Sequence, residues 1–145
     1  MQKTRPDPAV PDPGVLIAAA QAARSQAYAP YSKFAVGAAV LDEQGRIHAG
    51  CNVENAAYPQ GVCAEAGAIS AMVLAGGRQI QALAVFAQSP QPVTPCGGCR
   101  QKLREFAVDA TPVFIADASG LRARFTLGEL LPASFGPDHL EAPQS

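Results

Sequence analysis

IQALAVFAQSPQPVTPCGGCRQKLREFAVDATPVFIADASGLRARFT, residues 80–126, decides the architecture. The apolar run from Ile80 to Phe86 reads as a buried strand. Pro90, Pro92 and Pro95 then keep the chain extended. From about Cys96 to Phe106 the pattern is helical, and Val113 to Ala116 and Leu121 to Phe125 are two further strands. Only Asp117-Ala118-Ser119-Gly120 separates those two strands. That is too short for a helical crossover, so they form an antiparallel hairpin.

Upstream, Asp12-Pro13 offers an N-cap followed by proline at the first helical position. Leu16, Ala19, Ala20, Ala23 and Ala27 continue at helical spacing, which predicts a helix over 15–27 that ends before Pro30. Phe34 to Leu41 reads as a buried strand, Asp42-Glu43-Gln44-Gly45 as a turn, and Arg46 to Cys51 as the returning strand of a hairpin. Residues 52–62 are irregular and polar. A helix follows from about Cys63 to Leu74 and stops at Gly76-Gly77. Thr126-Leu127-Gly128-Glu129 has capping-box spacing for a short last helix. The order αββαβαββα predicts a three-layer α/β/α sandwich, its five-stranded mixed sheet covered by helices on both faces. One domain is expected over residues 12–140, after a proline-rich lead-in over 1–11 and before a tail over 141–145.

The 145 residues include 11 basic and 12 acidic side chains, a net charge of −1, and 48% are apolar. This fits a globular domain and argues against disorder. Nothing builds the positive field that a nucleic-acid partner requires. No apolar run resembles a signal peptide or approaches the roughly 20 residues of a membrane span. The expected compartment is therefore a reducing cytoplasm, with no membrane partner. There, four cysteines point to metal binding or catalysis rather than disulfides.

Cys63, Glu65, Cys96 and Cys99 carry the chemistry. Three thiolates can hold one zinc ion per chain and leave a fourth tetrahedral position open, which separates a catalytic zinc from a structural one. Cys96 and Cys99 stand i, i+3 at a helix start, so both thiolates face one way. Cys63 begins the other helix, and both N-terminal dipole ends would favour thiolates. Mid-helix, residues i and i+2 lie about 200° apart. Glu65 can therefore share a site with Cys63 only in the first turn, with the helix axis aimed at the metal. From there it would carry protons for a water on the zinc, acting as base and then as acid. The pattern Cys-x-Glu followed by Pro-Cys-x-x-Cys is that of the zinc nucleobase deaminases.

Several further blocks, in one order from about residue 15 to 140, make the chain resemble the small homotetrameric cytidine deaminases of nucleoside salvage. These are Ala29 to Ala39, Gly50 to Tyr58, Cys63-Ala64-Glu65, Pro95 to Gln101, and Glu129 to Phe135. The resemblance implies deamination of cytidine and 2′-deoxycytidine, with zinc on Cys63, Cys96 and Cys99. Asn52 and Glu54 would hydrogen-bond the ribose 3′-hydroxyl, Phe34 would pack on the pyrimidine, and Ala56 would belong to the same substrate loop. The Thr94 carbonyl would receive the leaving amine. Tyr58 and Phe135 would reach a neighbouring subunit's site in a homotetramer. In that family arginine often follows the catalytic glutamate and donates to the thiolates. Here the residue is Ala66, so either the helix dipoles or Arg100 must balance the charge.

Plainer readings stand beside these. Cys96-x-x-Cys99 alone fits a structural half-site or a redox pair. Asn52 and Glu54 fit turn formation as well as ligand binding, and Phe135 alone reads as core. Cys51 reads as a small buried apolar residue, His48 and His139 as surface residues, and Arg100, Lys102 and Arg104 as a solvated helix face. A non-catalytic zinc scaffold would leave Glu65 without a task and would require a fourth protein ligand. A deaminase of another aminopyrimidine nucleoside would share the zinc blocks. The intact Asn52 to Asn55 block and Phe135 favour an ordinary ribose ligand.

Overall fold

A computed structural model describes residues 12–141. The elements are α1 (Pro13–Arg24), β1 (Val36–Asp42), β2 (Ile47–Cys51), a 3-10 turn (Tyr58–Gln60), α2 (Ala64–Leu74), β3 (Ile80–Ala87), α3 (Gly97–Arg104), β4 (Pro112–Asp117), β5 (Gly120–Thr126), α4 (Leu127–Leu130) and α5 (Asp138–Glu141). The sheet order is β2-β1-β3-β4-β5. β3 and β4 are parallel through the α3 crossover, and the other pairs are antiparallel. The expected mixed five-stranded sheet and the closing hairpin are therefore present.

Alternation along the strands divides the core between the two faces. Ala39, Leu41, Ala82, Ala84, Phe86 and Phe114 pack with Leu16 and Ala20 of α1. Ala38, Val40, Leu83, Val85, Val113 and Ile115 pack with Ala68, Ile69 and Met72 of α2 and Leu103 of α3. The lead-in over 1–11 lies outside the described residues, and α5 runs one residue past the expected boundary at 140.

Several element ends differ from expectation because loop groups compete for the backbone. α1 stops at Arg24 rather than residue 27, since Tyr28 pairs with the site loop: its N–H donates to Asn52 O at 3.0 Å and its carbonyl accepts from Glu54 N at 2.8 Å. β1 starts at Val36 rather than Phe34, because side chains take the carbonyls of Phe34 and Ala35 (Asn52 Nδ2 at 2.8 Å and Arg24 Nε at 3.0 Å). α3 ends at Arg104 rather than 106, and Phe106 O accepts from Ile80 N at 2.8 Å. Asp12 caps α1 as expected, and Thr126 with Glu129 closes the capping box of α4.

Two features fix where α2 sits. A Cβ on Gly50 would overlap Ala68 N and lie 2.5 Å from Ala64 O. Only glycine therefore lets β2 lie directly on the first turns of α2. Gly50→Ala is expected to lower stability by about 1–3 kcal/mol through overpacking. Thermal melting checks it, and an unchanged Tm would show that the two backbones can part freely.

At the other end, His48 is not the expected surface residue. Its side chain is nearly buried and its Nε2 lies 2.8 Å from Asp42 Oδ2. The buried Asp42 also accepts from Arg46 Nε at 2.9 Å and from the N–H groups of Gln44 (2.8 Å) and Arg46 (2.9 Å). Arg46 Nη1 reaches Ala75 O at 2.9 Å, which pins the hairpin turn to the end of α2. Burial opposes ionisation of Asp42, but the bonds from His48, Arg46 and Gln44 outweigh it and hold the carboxyl well below the usual carboxylate range. A depressed folded pKa means stability that is present above the unfolded value of about 3.9 and lost as pH falls below it. Asp42→Ala is expected to cost about 3 kcal/mol at pH 7 and to flatten the acid limb of the stability curve. Denaturant melts across pH measure both, and an equally steep acid limb in the variant would assign the acid sensitivity elsewhere.

Candidate active site

α2 and α3 both begin at the site. Cys63 and Cys96 are their N-caps, with extended backbone (ψ 156° and 167°), and Cys99 lies in the first turn of α3. The expected helix starts at Cys63 and Cys96 thus move one residue on, which leaves both thiols at the mouth of a helix. The three sulfurs lie within 4.8 Å of one another, and the Cys63 and Cys96 sulfurs are 3.9 Å apart. Tetrahedral zinc with sulfur at about 2.3 Å requires sulfurs about 3.8 Å apart. The donor set and its spacing fit zinc.

The electrostatics agree. The Cys96 thiol is pulled below its usual value, first by the backbone N–H of Cys99. Burial pushes Cys63 and Cys99 up, and the negative charge of Glu65 adds to both. Thiols crowded against a carboxylate and against each other resist ionisation unless a cation balances them. A dication reverses that preference and couples metal binding to proton release.

Glu65 stands in the first turn of α2, only 4% exposed, as its i+2 spacing requires. It shares a cavity of about 300 Å³ with Ser32, Phe34, Val36, Asn52, Glu54, Cys63, Ala64, Val93, Thr94 and Cys96. Phe34, Asn52, Glu54 and Thr94 are therefore brought together with the thiols, while Cys99 is buried. Ser32, Val36 and Val93 are lining residues that the sequence did not single out.

Asn52 and Glu54 also build the loop that carries Phe34. Asn52 Oδ1 accepts from Val36 N at 2.9 Å. Glu54 accepts from Tyr31 N at 2.9 Å, from Ser32 N at 3.0 Å and from Ser32 Oγ. The Ser32 hydroxyl, ahead of the N–H groups, holds the Glu54 carboxyl below its ordinary range. These bonds keep Lys33 at φ 59°, a left-handed conformation that lysine adopts only when its surroundings impose it.

Three expected site residues lie apart from this cavity. Tyr58 is 75% exposed, in a neighbouring hollow with Tyr31 and Asn55, and meets Tyr31 edge-on at 5.8 Å. Ala56 is exposed beside it. Phe135 is 57% exposed rather than core and stacks on His139 at 5.1 Å. Cys51 is half-buried at the end of β2.

The basic side chains of α3 depart from the solvated face expected of them. Lys102 is exposed, but Arg104 donates to Ser134 Oγ at 2.9 Å and Asp138 Oδ1 at 2.7 Å. Arg100 is half-buried and donates to Pro95 O, Thr94 Oγ1 and Leu130 O. Its donors are turned to oxygen rather than sulfur, so Arg100 does not take the part of a thiolate donor. Ala66 lines a separate groove between α2 and α3 with Ser70, Gln101 and Lys102. The two helix N-termini remain as the neutralising groups.

Residues 14–115 match the model of the cytidine and deoxycytidylate deaminase zinc-binding region. Among curated proteins, a cytidine deaminase of Sporosarcina psychrophila is 47% identical over 125 residues, 86% of this chain and 92% of that one. A cytidine deaminase of Mycobacterium tuberculosis is 43% identical over 118 residues, 81% of this chain and 85% of that one. The crystal structure of cytidine deaminase from Burkholderia pseudomallei superimposes with a TM-score of 0.79 at 42% identity, covering 84% of this chain and 98% of that one. With three thiols spaced for zinc and a buried glutamate beside them, the chain belongs to the zinc-binding cytidine and deoxycytidylate deaminase family.

Proposed function

We propose that the chain hydrolyses cytidine and 2′-deoxycytidine to uridine and 2′-deoxyuridine, releasing ammonia. Glu65 carries this reading. It is a nearly buried carboxylate beside three clustered thiols, and it is not one of the cluster. A structural zinc site uses four protein ligands, and the cluster among the described residues has three.

When bound, zinc would supply a Lewis acid that makes water nucleophilic near neutral pH. Cys63, Cys96 and Cys99 would hold it. Glu65 accepts a proton from the attacking water and delivers it to the ring nitrogen, then takes the second proton from the added hydroxyl and passes it to the departing amine. The water oxygen ends on the ring carbon and the amine leaves as ammonia. Phe34 packs on the pyrimidine, Asn52 and Glu54 hold the ribose 3′-hydroxyl, and the Thr94 carbonyl receives the amine. Ala56 belongs to the same loop. Tyr58 and Phe135 are exposed and outside their own chain's cavity, which suits service at a neighbouring subunit's site in a homotetramer. Residues 12–140 form the working domain in this reading. A reducing cytoplasm suits free thiols, and no helix among the described residues is long and apolar enough to cross a membrane.

The test is the ultraviolet absorbance of cytidine with purified protein. Loss of the cytidine band is expected, abolished by a zinc chelator and restored by added zinc. No change with zinc-replete protein would refute the activity.

A further inference from the structure

We propose that Arg100 is a positioning residue for the reaction, holding Thr94 and Pro95 so that Thr94 keeps its place in the wall of the substrate cavity. This rests on the reading of that cavity given above. The segment over residues 88–96 supplies Val93, Thr94 and Cys96 to this wall and adopts no helix or strand. Pro90, Pro92 and Pro95 have no N–H to give a neighbouring strand. Two guanidiniums donate instead to the carbonyls of this segment.

Arg122 of β5 donates to Ser89 O and Pro90 O, both at 2.9 Å, and Asp117 aims it through a 2.7 Å contact. Arg100 of α3 holds the other end. Its Nε donates to Pro95 O at 2.7 Å, its Nη2 to Thr94 Oγ1 at 2.8 Å and its Nη1 to Leu130 O at 2.8 Å. Thr94 lines the cavity with Glu65 and Cys96. Arg100 follows Cys99 directly, so the helix that carries a metal ligand also carries the brace of the wall. A planar guanidinium can meet three acceptors in three directions, while a lysine ammonium on its flexible stem cannot hold the same fork. The spacing between the thiol cluster and Thr94 is thus set by one rigid group.

Arg100→Met, Arg100→Lys and Thr94→Val, and the Arg100→Met/Thr94→Val double variant, test this. Arg100→Met is expected to lower kcat about 10²-fold through misplacement of the wall, with a smaller change in KM and zinc near one per chain. Arg100→Lys should recover only a minor part. The double variant should fall no further than Arg100→Met, because the Thr94 effect runs through Arg100.

Wild-type kcat in Arg100→Met, strictly additive losses, or zinc loss that accounts for the drop in kcat would each overturn the proposal. Should Arg100→Met fail to fold, Thr94→Val decides alone, since it removes the acceptor of Arg100 Nη2 and keeps the backbone carbonyl at position 94, and wild-type kcat there overturns the proposal. An inactive wild-type chain refutes the function itself, and the positioning role with it. An active wild type with an equally active Arg100→Met refutes only the positioning.

Discussion

Glu65→Gln leaves the metal in place and stops the chemistry. Turnover of cytidine is expected to fall by about 10²–10⁴-fold or more, the range that a positioned acid–base group supplies. Zinc should stay near one per chain, because Glu65 is outside the cluster of three sulfurs. Glutamine keeps the shape and one acceptor oxygen but cannot take a proton. The fold should tolerate it, since the carboxylate sits at the first turn of α2 and removing its charge relieves repulsion with the neighbouring thiols. Steady-state kinetics with metal analysis on the same sample settles the matter. Near-wild-type activity in a zinc-replete variant would remove Glu65 from the mechanism.

Cys99→Ala has the largest expected effect on the molecule itself. Cys99 is fully buried, and with Cys63 and Cys96 it would join the starts of α2 and α3 through one ion. Binding free energy at such a site is also folding free energy. The variant is expected to retain well under one zinc per chain. A loss of about 3 kcal/mol would lower Tm by roughly 10 °C. A chelator should lower the wild-type Tm towards that of the variant and leave the variant unmoved. Full zinc and normal melting in Cys99→Ala would show that the ion sits elsewhere.

The parts of this fold that were legible in the sequence are those set by near neighbours. Asp117 to Gly120 could only join antiparallel strands, Asp12-Pro13 and Thr126 with Glu129 announced caps, and the i, i+3 cysteines announced a shared face. The first-turn placement of Glu65 was legible for the same reason, while Cys63, 33 residues from Cys96, was legible only through the Cys-x-Glu pattern it forms with Glu65. What escaped depends on partners remote in sequence. His48 reads as a surface histidine until folding buries it against Asp42. Arg100 and Arg104 read as a solvated face until the segment from Leu130 to Asp138 folds back on α3. Ser32 gains a role only through Glu54, 22 residues away. The short turns at Tyr58–Gln60 and Asp138–Glu141 carry too few residues for any periodicity to show.

The bonds that staple the site loop also fix what remains available beside Phe34. A carboxylate offers about four lone pairs, and Glu54 commits three of them to Tyr31 N, Ser32 N and Ser32 Oγ. Of the two amide hydrogens of Asn52, one is committed to Phe34 O. The residual valence is one vacant lone pair on Glu54 and one idle hydrogen on Asn52, two residues that line the same cavity. A hydroxyl, which gives one hydrogen and receives another, is complementary to that pair. An ether can only receive and an ammonium can only give, so each leaves one member dry and unmatched. In the proposed function, discrimination for a free sugar hydroxyl is then a matter of subtraction: the loop selects with the capacity left over from holding itself together.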